Sequence, residues 1–426
     1  MVGTTHASGA VLDDLAGSVG GNAREATPGD AVAGVPAGVV ASPPTTEEAS
    51  ALLVLAARLG LTVVARGRGT VLGWGPPPRS ADLVVDTSRL DGIVEHEAGD
   101  LVCTAEAGTR IDDVNAQVAG AGQQLALDQP VPGASLGGTL STGRSGPRRM
   151  LYGTPRDLVV GVTMVRADGV VAKAGGKVVK NVAGYDLAKL LGGAYGTLGI
   201  VTRMVVRLHP LPPSSRWLTC SYPDLDAAAG AAAAVTGSQL FPTAVEVRRS
   251  AGAAGADVQV LLEGTERGVR ERAAAAAELL GDDAGEADLD TADVARLDGP
   301  SDAGLLVKVA VPLTGIARLL HTTREIEDRL GLSCGVVGSA GVGVLHVQLA
   351  DVTGETSAAV QAVELLRNTA RQTSGAGSAV VLHAPAEVRA HVDSWGPITG
   401  LDLMRRVKDE FDPDHRLSAG RFVGGI

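Results

Sequence analysis

The residues of most chemical promise in this chain are glycines in loops that follow apolar runs. Leu61-Thr62-Val63-Val64-Ala65 leads straight into Arg66-Gly67-Arg68-Gly69-Thr70. A strand that ends in such a loop can bring bare backbone N–H groups against an anion, because glycine has no Cβ to hold the chain off. The loop has neither the G-x-G-x-x-G dinucleotide pattern nor the G-K-[ST] of a Walker loop. Alone it is a weak signal, since a glycine-rich strand-to-loop turn is structural more often than not. A second glycine-rich passage, Pro132 to Gly143, contains Ser135, Leu136, Gly137, Gly138 and Thr139, with further hydroxyls at Ser141 and Thr142. Its hydroxyls and free backbone amides could complete a pocket around a diphosphate, and two such loops, each between strands, shift the balance toward a nucleotide cofactor. Ser145-Gly146-Pro147-Arg148-Arg149 adds cations that face either phosphate or solvent.

A third segment stands out by charge. Of 37 cationic residues only six are lysine, and four of these (Lys173, Lys177, Lys180, Lys189) fall within one short stretch. An Arg- and Ala-rich composition explains the scarcity of lysine but not the clustering.

The elements around these loops read as alternating strands and helices, an α+β or α/β pattern. Thr45 with Glu48 resembles a capping box ahead of Ala51-Leu52-Leu53-Val54-Leu55, and that helix stops near Gly60. Strands are expected at 83–86, 101–104, 158–166 and 169–174, and a helix near 111–121. Leu211-Pro212-Pro213 is the clearest boundary. Beyond it, strands and helices alternate in a way that suggests a ferredoxin-like open sandwich, single or doubled, interrupted by an acidic loop from Asp282 to Asp302. Residues 1–30 lack periodicity and read as a flexible leader.

Composition narrows the function. The length of 426 residues implies two or three domains, and a net charge of −11 argues against a nucleic-acid partner. Glycine reaches 57 residues, against three Phe, three Trp and four Tyr. Cys103, Cys220 and Cys334 are far apart and form no C-x-x-C, so no iron–sulfur cluster or zinc knuckle is expected in this chain. Sparse, unpaired cysteines, with no signal-like N-terminus and no apolar run near 20 residues, lead us to expect a cytoplasmic protein that reaches a membrane only through a partner.

Gly175 to Thr202 carries the specific resemblance. Lys177-Val-Val-Lys-Asn-Val-Ala-Gly-Tyr-Asp186, together with Ser145-Gly-Pro-Arg-Arg149 and Phe411-Asp412-Pro413…Gly420-Arg421, is similar to the FAD-binding oxidoreductases of the vanillyl-alcohol-oxidase (PCMH) fold. More narrowly, the chain resembles the accessory FAD-binding subunit of bacterial glycolate oxidases. The resemblance implies an α+β fold with a two-lobed FAD-binding domain (31–212), a ferredoxin-like cap domain (213–397) and a C-terminal segment (398–426) that packs back on the FAD domain.

It further implies FAD held by Arg66, Gly67, Arg68, Gly69 and Thr70; by Ser135, Leu136, Gly137, Gly138, Thr139 and Gly143; by Ser145, Gly146, Tyr152, Gly153 and Asp157; by Lys180 and Tyr185; and by Gly196, Gly199, Ile200 and Val201. No histidine lies between His96 and His209, so a non-covalent flavin is expected. The lysine cluster would stabilise an anionic reduced flavin, or contact a partner or solvent. Relatives that oxidise 2-hydroxy acids carry G-D-G-N-x-H and E-H-G; here Gly341-Val-Gly-Val-Leu-His346 and Leu382-His383-Ala384 stand in those places. His346 and His383 remain as candidate catalytic residues or as core and cap side chains. With the carboxylates gone, no metal is expected. The implied activity is that of a flavin subunit of a glycolate oxidase complex, with a catalytic flavin paralogue, an iron–sulfur subunit and a small 2-hydroxy acid such as glycolate as partners. The alternatives are a self-sufficient 2-hydroxy acid dehydrogenase and a non-catalytic assembly subunit.

Overall fold

A computed structural model describes residues 9–177, 185–296, 301–374 and 377–426. The chain divides into two compact units. The first comprises Met1–Ser145, Thr154–Leu211 and Ile398–Ile426, the second Gly146–Gly153 and Pro212–Pro397.

The first unit contains two sheets. Strands β1 (Ala23–Glu25), β2 (Ala37–Ala41), β3 (Val63–Arg66) and β4 (Ala81–Asp86) form one, in the order β1-β2-β4-β3. β2, β4 and β3 run parallel, which requires crossovers. Helix α1 (Gly9–Ser18) and helix α2 (Thr46–Arg58) cover this sheet, and Leu15, Leu52, Leu53, Leu83 and Val85 are fully buried in their shared core. The Thr45 hydroxyl accepts from the Glu48 amide and starts α2 where the sequence places it. The expectation of a flexible leader fails for residues 9–30. Val11, Leu12, Leu15 and Val19 recur at helical spacing, and Leu15 and Val19 are fully buried; the small residues between them had masked the period.

Strands β5 (Ile93–Glu97), β6 (Val102–Glu106), β8 (Val159–Val165), β9 (Val171–Gly175) and β10 (Ile200–Arg207) form an antiparallel sheet in the order β5-β6-β10-β8-β9, and β7 (Gln123–Gln124) pairs with β11 (His209–Pro210). Helices α3 (Ile111–Val118) and α4 (Leu136–Thr142) bury Ile111, Val114, Leu136 and Leu140 against this second sheet.

The second unit is one eight-stranded antiparallel sheet: β12 (Ser214–Tyr222), β13 (Ala244–Arg249), β14 (Ala256–Gly264), β15 (Gly285–Ala287), β16 (Leu305–Ala310), β17 (Cys334–Ser339), β18 (Val344–Leu349) and β19 (Ser378–His383). The order β15-β12-β14-β13-β17-β18-β16-β19 resolves into two β-α-β-β-α-β halves joined through β13 and β17. The ferredoxin-like pattern is therefore doubled. Helices Leu225–Thr236, Glu266–Leu280, Ile316–Leu330 and Thr356–Ser374 bury alternate strand residues such as Val258, Val260, Val307, Val309, Leu345 and Val347. Part of the expected acidic loop is strand β15, the fourth strand of the first half.

Candidate functional site

The glycine loop after β3 is held by the very arginines that the sequence offered as anion ligands. Arg66 pairs with Asp30 at 2.8 Å and with Asp86 at 2.7 Å. Hydrogen bonds from Arg24, then from Arg66, hold the Asp30 carboxyl well below the usual carboxylate range despite its burial. Arg68 reaches Asp91 at 2.7 Å and the Gly108 carbonyl at 3.0 Å. Both guanidinium groups therefore anchor the loop, and the amides of Arg68, Gly69 and Thr70 make no backbone hydrogen bond among the described residues.

The second loop interlocks with the first. A Cβ on Gly67 would stand 2.3 Å from Ser135 Oγ, and that hydroxyl caps α4 by accepting from the Gly138 amide at 3.3 Å. The amides of Leu136, Gly137 and Thr139 donate to the carbonyls of Thr109, Ala107 and Ser135. The free amides expected in this loop are thus engaged internally, and what it offers is close backbone approach and hydroxyls. A third wall comes from the start of β10. A Cβ on Gly199 would meet Met164 Cε at 2.0 Å and the Val165 carbonyl at 2.9 Å, so only glycine fits.

These walls enclose an open cleft with about 800 Å³ of empty space. Arg66, Gly67, Arg68, Gly69, Thr70, Ser135, Gly137, Gly138, Thr139, Gly196, Gly199, Ile200 and Val201 line it together. Leu136 points into the core instead. Gly143 is the left-handed cap of α4, with φ 63°. Ser145 is half-buried outside the lining. Asp157 is an exposed helix cap whose carboxyl, pushed up by burial, is held lower by hydrogen bonds to Thr154. Gly146, Tyr152 and Gly153 belong to the second unit, where Tyr152 donates to Glu263 at 2.9 Å.

The described residues of the lysine signature do not line the cleft. Lys177 pairs with Glu95, and Lys189 donates to the Arg156 carbonyl with Asp186 at 3.6 Å. Tyr185 is 92 % exposed, and Lys180 and Asn181 lie outside the described residues. The cations in the cleft that sequence reasoning missed as ligands are Arg144 and Arg421. Arg144 stacks over Trp74, 4.8 Å from the ring centroid. Arg421 donates to the Trp74 carbonyl at 2.6 Å while its buried Nε has no acceptor among the described residues. Arg144 directly follows the second loop, which was the available signal; Arg421 was visible only as part of a C-terminal motif.

Behind the third wall, Lys408 is fully buried and donates to Asp412 at 2.6 Å, the Thr197 carbonyl at 2.7 Å and the Leu417 carbonyl at 2.9 Å. It ties the C-terminal helix Leu401–Phe411 to the turn that leads into β10.

In the second unit, His346 stands opposite Lys308 and His383 opposite Leu306, so strand register sets both histidines on one face of the sheet, on either side of β16. Burial pulls the Lys308 amine down to about 8, with Arg149 adding to the effect. Burial, and then Arg389, lowers the His383 imidazole below its ordinary value, and its Nε2 has no partner among the described residues. Among the described residues no three His, Cys, Asp or Glu side chains are grouped as a metal-ligand set, and no helix is long and apolar enough to cross a membrane.

Residues 37–175 match the FAD binding domain family, and residues 258–422 match the C-terminal domain of FAD linked oxidases. The chain is 33% identical over 208 residues to glycolate oxidase subunit GlcD of Bacillus subtilis, covering 49% of this chain and 44% of that one. It is 37% identical over 155 residues to glycolate oxidase subunit GlcE of Escherichia coli, covering 36% and 44%. To D-lactate dehydrogenase of Archaeoglobus fulgidus it is 27% identical over 412 residues, covering 90% and 91%. The chain thus spans less than half the length of the two glycolate oxidase subunits. Among solved structures, p-cresol methylhydroxylase with substrate bound superposes with a TM-score of 0.77 at 14% identity over 98% of this chain and 97% of that one, a likeness of fold.

The cleft fits an FAD. Its interlocked glycines admit a diphosphate at backbone distance, and the orphaned Arg421 Nε needs an acceptor. No His or Cys is in the lining. With an FAD binding domain at residues 37–175 and the C-terminal domain of FAD linked oxidases at 258–422, the chain is an FAD-dependent oxidoreductase with the fold of p-cresol methylhydroxylase.

Proposed function

We propose that this chain is a flavin subunit of the glycolate oxidase type, which passes electrons from 2-hydroxy acid oxidation to an iron–sulfur partner. The observation that carries the reading is a contrast between the two units. The FAD cleft keeps every close-packed glycine, whereas the sheet face of the second unit presents His346 and His383 with Val342, Val344 and Leu382 where a carboxylate or amide would orient an imidazole. FAD, when bound, takes up the two electrons of alcohol oxidation. The chain's own residues hold it: the Gly67–Thr70 and Ser135–Thr139 loops seat the diphosphate, and Arg144 and Arg421 supply positive charge. The resemblance of Lys177–Asp186 to the signature of the accessory FAD-binding chain supports the finer assignment, and GlcD and GlcE similarity supports an assembly of more than one chain.

A second reading is favoured by one observation: His383 is held neutral near pH 7 with a free Nε2, the form that accepts a proton from a hydroxyl. It makes the chain a self-sufficient 2-hydroxy acid dehydrogenase. The experiment is turnover of glycolate and D-lactate with a dye acceptor by the purified FAD-loaded chain. The proposal expects negligible turnover alone and activity once an iron–sulfur subunit and a catalytic paralogue are co-expressed. Steady turnover by the isolated chain, lost in His383→Ala, selects the second reading.

A further inference from the structure

Three phenylalanines occur in the chain, and one of them faces water. Phe411 and Phe422 are half-buried, whereas Phe241 is 72 % exposed. It lies in the second unit, in the short connection between helix Leu225–Thr236 and β13. Its neighbours are tucked in: Leu240 is half-buried and Pro242 is buried. An aromatic ring is among the largest apolar surfaces a chain can bury, and this chain, poor in aromatics, leaves one out.

The backbone beneath the ring is strained. A residue before a proline is normally extended, and a bulky residue rarely enters the left-handed region. Phe241 precedes Pro242 and has φ 48°. Such a conformation persists only where the surroundings enforce it, and Arg272, on helix Glu266–Leu280, does so. Its Nη1 donates to the carbonyls of Leu240 at 3.1 Å and Phe241 at 3.4 Å, its Nη2 to the Glu263 carbonyl at 2.6 Å and its Nε to the Gly268 carbonyl at 3.2 Å. Gly264, at φ 147°, leaves room for the guanidinium, since a Cβ there would stand 3.0 Å from Nη2. To either side, the Ser238 hydroxyl accepts from the Leu240 amide at 3.2 Å, and the Thr243 amide donates to the Leu261 carbonyl at 2.8 Å. A rigid support holds the ring out; a slack loop does not.

Charge and size select what covers it. Arg272 bonds only to carbonyls among the described residues, so its charge stands uncompensated behind the ring and suits carboxylates on the rim of a socket. A bilayer is disfavoured. Residues 237–240 add no other exposed large apolar side chain, one apolar group does not hold a protein on a membrane, and a net charge of −11 is repelled by anionic lipid. A single rigid aromatic is the usual form of a hot spot between proteins, because little freedom is left for it to lose on binding.

We propose that Phe241, clamped by Arg272, is the anchor by which this chain docks a companion subunit, the ring entering an apolar, carboxylate-rimmed socket on the catalytic flavin paralogue. The FAD cleft is lined by residues of the first unit alone. An electron carrier has to approach that unit, which leaves the second unit to the paralogue. The inference rests on the multi-subunit assembly proposed above.

The test is the affinity of the FAD-loaded chain for the purified paralogue. Binding to the iron–sulfur subunit, binding to phosphatidylglycerol–phosphatidylethanolamine vesicles and the chain's own oligomeric state are measured in parallel. Phe241→Ser is expected to weaken binding to the paralogue about 30-fold or more. Arg272→Gln, which frees the loop with the ring intact, is expected to weaken it about tenfold. Phe241→Gly removes ring and strain together, so the isolated chain is expected to melt at an unchanged or higher temperature while binding is lost as in Phe241→Ser. A lower melting temperature for Phe241→Gly would make the ring a packing residue and overturn the proposal, as would undiminished affinity in Phe241→Ser. Loss confined to the iron–sulfur subunit, to vesicles or to a homodimer would give the ring another occupant and likewise overturn it. A wild-type chain that binds neither subunit overturns the assembly itself, a failure told apart because it precedes any substitution.

Discussion

Gly67 makes the site's logic visible in one residue. It stands where two loops, distant in sequence, come so close that a methyl group would displace the Ser135 hydroxyl from the Gly138 amide. Gly67→Ala is expected to cost about 1 kcal/mol of stability through the lost cap and to weaken FAD binding about tenfold. Thermal melts with and without FAD check this, and unchanged affinity would contradict the interlocked-loop account. The glycines themselves were legible in the sequence as a loop signature. The roles of Arg66 and Arg68 were not, because Asp30, Asp86 and Asp91 reach them through strand pairing and a folded turn. His383 adds a pH dependence. Its pKa in the folded chain is below the ordinary 6.5, so the unfolded chain binds the proton more tightly. The stability it contributes is full above pH 6.5 and is lost as pH falls below that value. His383→Gln is therefore expected to flatten the stability profile below pH 6.5 relative to wild type; an identical slope in the variant would refute this.

The C-terminal helix Leu401–Phe411 shows what an element can do for a site it does not line. Lys408 and Asp412, one helical turn apart and fully buried, clamp the turn at Thr197 and the strand-like stretch at Leu417. Lys408→Met leaves Asp412 charged and buried without its partner, and is expected to destabilise the first unit by about 3–5 kcal/mol in urea titrations. Joint replacement by Met and Leu is expected to recover a large part of that loss, and a double variant as unstable as the single one would argue against a charge-burial cause. The Phe411-Asp412-Pro413 motif was readable. The lysine one turn before it looked like any surface cation on an amphipathic helix, since sequence alone does not report desolvation. Helix α1 was missed for a related reason: its small residues dilute an apolar face that only packing reveals.

At the scale of the molecule, the first unit gathers its cleft from residues 64–72, 134–144, 195–201 and Arg421. FAD at about 100 times its dissociation constant adds about 2.7 kcal/mol to the stability of the state that binds it. Hydrogen exchange is expected to slow at all three segments together when FAD is added; protection confined to one segment would mean that the cleft does not act as one site. The sequence by itself determined the alternation of strands and helices and the two glycine loops, because periodicity, turn chemistry and capping are local; it left open whether the β-α-β-β-α-β pattern is single or doubled. Only the tertiary structure decided which cations of the cleft are neutralised by carboxylates and which rest on Trp74. Charge compensation and burial depend on side chains far apart along the chain, as Arg421 and Trp74 are, and no spacing rule encodes their meeting.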